Sequence, residues 1–394
     1  MEKKTLLFVF GTRPELIKMI PLIKESKKRN NIKTLVCSTG QHKDMLASLY
    51  SFFDLTPDID FQLMKPNQSL TGLHSDTMNK MSEVITEHAP HYVIVQGDTT
   101  SAHAAAMAAF YSKTQVAHIE AGLRTYDINS PYPEEMNRRV ISLIAKVHLC
   151  PTAEAAANLK QEKIDESASV EVTGNTGIDT LMLVEKRFNA DKQLSAKFEN
   201  VFSYLNLSNF ILTTVHRREN FGDAQKNILK ALLTIVLKNK IDILFPVHPN
   251  PNVRQSATDV FNEYFGKNVF WISEDSANDN LPKNSEYGRI FLTDPLDYPA
   301  LVYAMKNCRF VMTDSGGLQE EAPTFAKKIL VLRSSTERPE GVSSGFSQLV
   351  GTDTLEITNA ASSLIARSSH WDGAIPTNPY GDGLASERII NLLS

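Results

Sequence analysis

The residues able to do chemistry in this 394-residue chain stand where short apolar runs end. After the run at 5–10 comes Phe10-Gly11-Thr12-Arg13-Pro14-Glu15, with Pro14 preset for a first helical turn and Arg13 beside a helix N-terminus. The run at 92–96 leads into Gln96-Gly97-Asp98-Thr99-Thr100, and the run at 115–119 into His118-Ile119-Glu120-Ala121-Gly122-Leu123-Arg124. A loop then reaches Ser130-Pro131-Tyr132-Pro133-Glu134-Glu135-Met136-Asn137-Arg138. Later run ends carry His216-Arg217-Arg218-Glu219-Asn220, His248, Asp314-Ser315-Gly316-Gly317-Leu318-Gln319-Glu320-Glu321 and Thr336-Glu337-Arg338-Pro339-Glu340. Carboxylates in such places suit proton transfer, and arginines near a Ser-Gly-Gly turn suit an anion.

Each candidate has a plainer reading beside it. Asp98 after Gly97 also fits the N-cap of the helix TSAHAAAMAAF. Glu120 closes an apolar run, where an uncompensated charge is costly, and that favours a site role. Glu134 and Arg138, four apart on an expected helix, fit a surface ion pair. The stretch HRREN is too polar to bury, so His216 reads as part of a phosphate-facing cluster. His248 reads equally as a satisfied structural histidine, and His42 as a cap where a helix starts. Ser315-Gly316-Gly317 lets the backbone come close and opens a helix with its free N–H groups outward, an anion seat suited to a pyrophosphate. The same turn also serves as an ordinary strand-to-helix connection. There is no G-x-x-x-x-G-K-S/T, which excludes a P-loop ATPase, and no G-x-G-x-x-G after the first strand, so the usual dinucleotide fingerprint is missing.

The elements that must position these residues read as two series. Apolar runs at 5–10, 34–38, 92–96, 115–119, 147–150 and 170–173, then at 210–215, 242–247, 269–272, 290–292, 309–312 and 328–332, alternate with helical periods of 10 to 18 residues. That alternation predicts parallel β-α-β units. The expected fold class is therefore α/β: two Rossmann-like, doubly wound parallel-sheet domains facing across a cleft, onto which the polar sheet edges open. The domains are expected at 1–175 plus a returning 376–394, and at 176–375. Between 174 and 208 a helical segment precedes a polar run, DKQLSAKFENVFSYLNLSN; 273–288 reads as a surface loop, and NPYGDGLASERIINLLS as a loop plus one capped terminal helix.

Composition narrows the partners. Lys and Arg number 41 against 45 Asp and Glu, a net −4 that argues against a nucleic-acid binder with a broad basic face. Hydrophobic content of 42 % with 22 % charged residues supports two buried cores. The apolar runs are strand-sized, short of the ~20 residues of a membrane span, and the start MEKKTLLFVFGTRPE reads without a signal peptide. Cys37, Cys150 and Cys308 lack C-x-x-C spacing, which fits reduced thiols in a cytoplasm and argues against a structural zinc or a disulfide framework.

Taken together, FGTRPELIKM, TGQHKDML, QGDTTSAHAAAMAAF, HIEAGLRT, SPYPEEMNR, GNTGID, HRREN, PVHPNPNVR, TDSGGLQEEAP, STERPEG and NPYGDGLASERI resemble, in order and through nearly the whole chain, the non-hydrolysing UDP-N-acetylglucosamine 2-epimerase family. The resemblance implies a GT-B-like pair of domains and an isomerase that converts UDP-N-acetylglucosamine to UDP-N-acetylmannosamine, without a redox cofactor or a metal. A cytoplasmic homodimer serving bacterial surface polysaccharide synthesis is implied as well. It maps catalytic roles onto Asp98, Glu120, Glu134 and His216, and substrate contacts onto Arg13, Lys18, Arg138, Ser315, Gly316, Gly317, Glu321 and Arg338. Regulation by substrate would involve Gln41, Glu134 and His248. Asp44 and Asn67 stand where some members carry glutamine and arginine, and Leu296 and Leu301 where some place glutamine and phenylalanine against the uracil. The first departure bears on regulation by substrate, and the second, at the base pocket, leaves a related UDP-amino sugar as an alternative substrate. A hydrolysing epimerase that releases N-acetylmannosamine and UDP is the other alternative, and TGQHKDM argues against it.

Overall fold

The computed structural model describes residues 3–41, 43–64, 68–272, 286–367, 371 and 373–394. It divides into two compact units, Met1–Leu183 with Tyr380–Ser394, and Val184–Pro379.

The N-terminal unit is built on β1 (Lys4–Phe10), β2 (Ile32–Ser38), β3 (Ile59–Asp60), β4 (Tyr92–Gln96), β5 (Gln115–Ile119), β6 (Val147–Cys150) and β7 (Ser169–Val172). These form one parallel sheet in the order β3-β2-β1-β4-β5-β6-β7. Helices cover both faces, which is why Leu6 to Phe10 form an unbroken buried run without alternation. The strand order reverses between β1 and β4, and a doubly wound sheet binds ligands outside the strand ends at such a reversal.

The C-terminal unit repeats the plan with β8 (Phe210–Thr214), β9 (Asp242–Pro246), β10 (Val269–Ile272), β11 (Ile290–Thr293), β12 (Phe310–Thr313), β13 (Ile329–Val331) and β14 (Ser347–Leu349). Its parallel order is β10-β11-β9-β8-β12-β13-β14, with the reversal between β8 and β12.

Every run read as a strand from the sequence forms one, and the doubly wound α/β class holds for both units. Four local readings change. The edge strands β3 and β14, two and three residues long, are too short to carry a pattern. The polar run after Ala190 is a helix, Lys192–Val201, capped by Asp191 and anchored by buried Phe198 against Phe188 and Tyr303. The terminal helix Ala385–Leu393 has Leu384 at its N-cap, and the capping oxygen comes from elsewhere: Asp179 Oδ1 accepts the backbone N–H of Ser386 at 2.7 Å and its hydroxyl at 2.5 Å. Gly288, at the end of the expected surface loop, is buried against the backbone of Ile241. Residues 273–285 of that loop, His42 and Asn67 lie outside the described residues.

Candidate active site

In the N-terminal unit the turns after β1, β4 and β5 converge at the reversal. Helix Arg13–Lys27 starts directly after β1, with Thr12 at its N-cap and Arg13 and Pro14 in its first turn. Glu15, fully buried, reaches back: one oxygen accepts the N–H of Gly11 (3.0 Å) and of Thr12 (2.8 Å) and the Thr12 hydroxyl (2.8 Å), and the other accepts the hydroxyl of Thr99 (2.7 Å). One carboxylate thus ties the β1 turn to the β4 turn. Burial pushes its pKa up against those four hydrogen bonds. Gln41, half-buried, accepts the hydroxyl of Ser101 at 2.9 Å beside the same turns.

The β4–β5 register sets Gln96 beside Ile119, which brings Gln96 Nε2 to 2.6 Å from Glu120 Oε2. The Lys18 ammonium pairs with the same oxygen. Glu120 holds a left-handed backbone (φ 62°), a conformation that costs a non-glycine residue energy and turns its side chain off the strand end. One turn over, Asp98 accepts from the Arg138 guanidinium, with Nε at 2.9 Å. Burial raises the Asp98 carboxyl, Arg138 and Lys18 pull it down, Glu134 pushes it up, and the balance lies above the ordinary aspartate value. A carboxyl moved in that direction is better matched to proton transfer near neutral pH.

Two plain readings are corrected here. The helix Thr100–Tyr111 is capped by Thr99, whose hydroxyl accepts the N–H of Ala102 at 3.0 Å, so Asp98 is not the cap. Arg138 pairs with Asp98 and with Glu135 (3.4 Å), and the expected surface pair with Glu134 is replaced by these.

In the C-terminal unit the corresponding turns follow β8 and β12. Register Thr313 beside Thr214 sets Asp314, fully buried, under the β8 turn. Its carboxylate accepts the N–H of His216 (3.0 and 3.1 Å), the N–H of Arg217 (2.9 Å) and the amide of Asn220 (3.0 Å), and lies 3.1 Å from His216 Nδ1. HRREN is therefore not wholly outside: Asn220 is buried and also donates to the Leu332 carbonyl at 3.2 Å. The His216 ring stacks on His248, centroids 5.9 Å apart. His248 is exposed and accepts the N–H of Asn250 at 3.2 Å, so it is no core histidine.

Ser315 is the N-cap of the short helix Gly316–Glu321. The Arg338 guanidinium covers Gly316, where an added Cβ would stand 3.0 Å from Arg338 Cζ, while the same position on Gly317 is open apart from Ser315 Oγ at 3.9 Å. Glu320, buried, accepts Arg338 Nε at 2.8 Å, and Glu321 accepts the Tyr298 hydroxyl at 3.3 Å. Leu296 and Leu301 are half-buried around the start of helix Tyr298–Asn307.

Among the described residues no group of three or more His, Cys, Asp or Glu is placed to hold a metal ion, and no helix is long and apolar enough to cross a membrane.

The family model for UDP-N-acetylglucosamine 2-epimerase matches residues 24–394. A UDP-N-acetylglucosamine 2-epimerase of Campylobacter jejuni is 41% identical over 396 residues, covering 99% of this chain and 97% of that one. A UDP-GlcNAc 2-epimerase from Neisseria meningitidis, solved with UDP-GlcNAc bound, is 40% identical with a TM-score of 0.85 over 99% of both chains. A Staphylococcus aureus structure, MnaA with UDP, is 38% identical with a TM-score of 0.82, covering 99% of this chain and 96% of that one. The chain belongs to the UDP-N-acetylglucosamine 2-epimerase family.

In this epimerase-family chain the anticipated residues fall into one group per unit. Lys18, Asp98, Glu120 and Arg138 interlock at the end of the N-terminal sheet, with Glu134 close enough to act on Asp98 and Arg13 and Gln41 on the adjoining turns. His216, His248, Ser315, Gly316, Gly317, Glu321 and Arg338 lie on the turns of the C-terminal sheet and the elements beside them. Glu15, Gln96, Asp314 and Glu320, which the sequence marks only as members of their turns, are the residues that hold these groups in place. Glu15 was legible as the last member of T-x-x-E, a capping box. The other three are visible only through strand register and packing.

Arg333 binds Glu337 at 2.8 and 3.1 Å, and Arg338 Nη1 lies 3.7 Å from the same carboxylate. Burial works to raise the Glu337 carboxyl, but Arg333, a backbone N–H and Arg338 outweigh it and bring the pKa down to about 2. A depressed carboxyl stabilises the fold above its unfolded pKa, and that contribution is lost as pH falls through the folded value. Glu337→Gln is therefore expected to lower the melting temperature at pH 7, with the gap to the parent closing as pH drops from 4.5 towards about 2. Thermal melts across that range check it; a constant gap overturns it.

Proposed function

We propose that this protein interconverts UDP-N-acetylglucosamine and UDP-N-acetylmannosamine by reversible elimination of UDP, without hydrolysis. The observation that carries the reading is the pair of carboxylates at the reversal of the N-terminal sheet, Asp98 with Arg138 and Glu120 with Lys18, set on adjacent strand ends.

The proton on carbon 2 of the sugar is not acidic, since that carbon bears no carbonyl. Cleavage of the anomeric bond makes carbon 1 cation-like and acidifies its neighbour. In the α-linked substrate the carbon 2 proton and the UDP oxygen stand anti to each other. A carboxylate takes the proton, the C2–H electrons form the C1=C2 double bond, and the C1–O electrons leave with UDP, giving 2-acetamidoglucal. Return of the proton from the opposite face and re-addition of UDP at carbon 1 yields the epimer. One fixed base cannot serve both faces, which is why Asp98, Glu120 and Glu134 share the work. Charge on the departing UDP is met by Arg13, His216 and Arg338 and by the N–H groups at Ser315-Gly316-Gly317, with Lys18 and Arg138 on the sugar side and Glu321 binding the nucleotide. Gln41 and His248 are assigned to regulation by substrate. The protein works as a cytoplasmic homodimer in surface polysaccharide synthesis.

Proton NMR of UDP-N-acetylglucosamine with the protein in heavy water tests the reading. Deuterium is expected at carbon 2, together with a minor UDP-N-acetylmannosamine signal. Absence of exchange overturns elimination, and free sugar accumulating with UDP establishes the hydrolysing alternative instead.

A further inference from the structure

His118 and Asn137 play no part in the chemistry above, yet both are buried beside it. His118 lies within β5, fully buried, and its Nε2 stands 2.8 Å from the carbonyl oxygen of Gly97. A carbonyl only accepts, so the proton sits on Nε2. Asn137, on helix Glu134–Ile144 and 2% exposed, donates from Nδ2 to the carbonyl oxygen of Asp98 at 2.8 Å. Two consecutive carbonyls of one turn are thus held by two side chains from different elements. The N–H of Gly97 is also fixed, donating to the Ile119 carbonyl at 3.0 Å. Gly97 takes φ 66°, so the turn uses a conformation that needs such holding if the next side chain is to keep one direction.

We propose that His118 and Asn137 are positioning residues for Asp98, each fixing one peptide carbonyl of its turn so that the carboxylate meets the sugar at a single place. The inference rests on the reading of Asp98 as a carboxylate that handles the carbon 2 proton. His118 acts as a neutral donor. Burial lowers its pKa, the Gly97 bond opposes this, His148, Arg124 and Arg138 reinforce it, and the result is about 3. Protonation would add an N–H at Nδ1, which is buried and has no hydrogen-bond partner among the described residues.

A misplacement of about 1 Å at a reacting group costs on the order of 100-fold in rate, so His118→Leu is expected to lower kcat by about that factor with KM nearly unchanged. His118→Gln, whose amide N–H reaches the same point, is expected to restore most of the loss, with a pH profile that superimposes on the parent's. Asn137→Ala removes a single amide and is expected to lower kcat with the same KM pattern. A purely structural role predicts losses that multiply with any other. Positioning predicts that His118→Leu adds little once Asp98→Asn has removed the group being aimed. Parental kcat in both His118→Leu and Asn137→Ala, a glutamine no better than the leucine, or multiplying losses in the Asp98→Asn background each overturn the proposal. Asp98→Asn turning over at the parental rate would instead overturn the role given to Asp98 itself, so the two failures are separable.

Discussion

Glu120→Gln is expected to reduce turnover of UDP-N-acetylglucosamine by about a thousandfold, within the range that loss of a general acid or base produces. The substitution keeps the shape of the side chain, and it leaves the left-handed backbone at this position as it is. What it removes is the negative charge facing the Lys18 ammonium; the remaining amide oxygen can still accept from Gln96, while the other oxygen becomes an NH₂ that cannot take a proton. Glu120 is largely buried, at 12% exposure, but it lies at a strand end outside the sheet core, so the loss of its charge is expected to fall on the site and to leave the core packing unchanged. The informative measurement pairs turnover with carbon 2 exchange in heavy water. If Glu120 moves the proton, exchange and net epimerisation fall together. A variant that exchanges at the parental rate but no longer epimerises assigns Glu120 to the return step on the opposite face. Parental rates for both would remove it from the chemistry.

Glu120 stands out by residue type alone. A carboxylate closing a buried apolar run is anomalous, and so is a Gly-Asp pair after an unbroken run such as Tyr92–Gln96. Strands buried on both faces advertise themselves because most of their positions are apolar without alternation, and for that reason the parallel sheets were legible. Edge strands of two or three residues have no such constraint. The helix Lys192–Val201 escaped because Phe198 is the residue it buries, too little to mark a periodic face. The partners of site residues were hidden for a different reason. Gln96 reaches Glu120, and Asp314 reaches His216, through parallel register between strands 23 and 99 residues apart in sequence at the paired positions Gln96–Ile119 and Thr214–Thr313. Nothing local encodes such a pairing. Register is a consequence of how whole sheets pack, so a residue whose function is to hold another becomes visible only when the sheet is assembled.

Asp314 is the sharpest case, and neither Asp314→Ala nor Asp314→Asn is expected to be tolerated. The groups that meet its carboxylate are donors: Oδ1 meets the N–H and Nδ1 of His216, and Oδ2 meets the N–H groups of His216 and Arg217 and the amide of Asn220. Burial alone would raise this carboxyl, but the His216 ring and the backbone N–H groups of Arg217 and His216 outweigh it and hold the pKa below the ordinary value. In an asparagine one of the two oxygens becomes an NH₂: on the Oδ2 side it faces the N–H of Arg217 and the amide of Asn220, and on the Oδ1 side it fits only if the His216 ring moves its proton to Nε2 and lets Nδ1 accept. The usual conservative replacement thus either sets donor against donor in a fully buried place or imposes the other tautomer on His216. Removing one side of a buried charged network costs about 3–5 kcal/mol, so both variants should melt well below the parent. The larger consequence is for His216. With Asp314 present, Nδ1 keeps its proton and Nε2 is the nitrogen presented outward, the tautomer selection that a buried aspartate imposes on a histidine it contacts. Loss of the carboxylate frees both ring orientation and tautomer, and turnover is expected to fall by about a thousandfold or more, as when a histidine loses the group that fixes its tautomer. Nitrogen-15 NMR of the imidazole separates this from a simple loss of fold. Spectra recorded below the melting transition should place the proton on Nδ1 in the parent and move it wholly or in part to Nε2 in the variants. An unchanged Nδ1 signal alongside parental turnover would mean that Asp314 serves the β8 turn and leaves the histidine to itself.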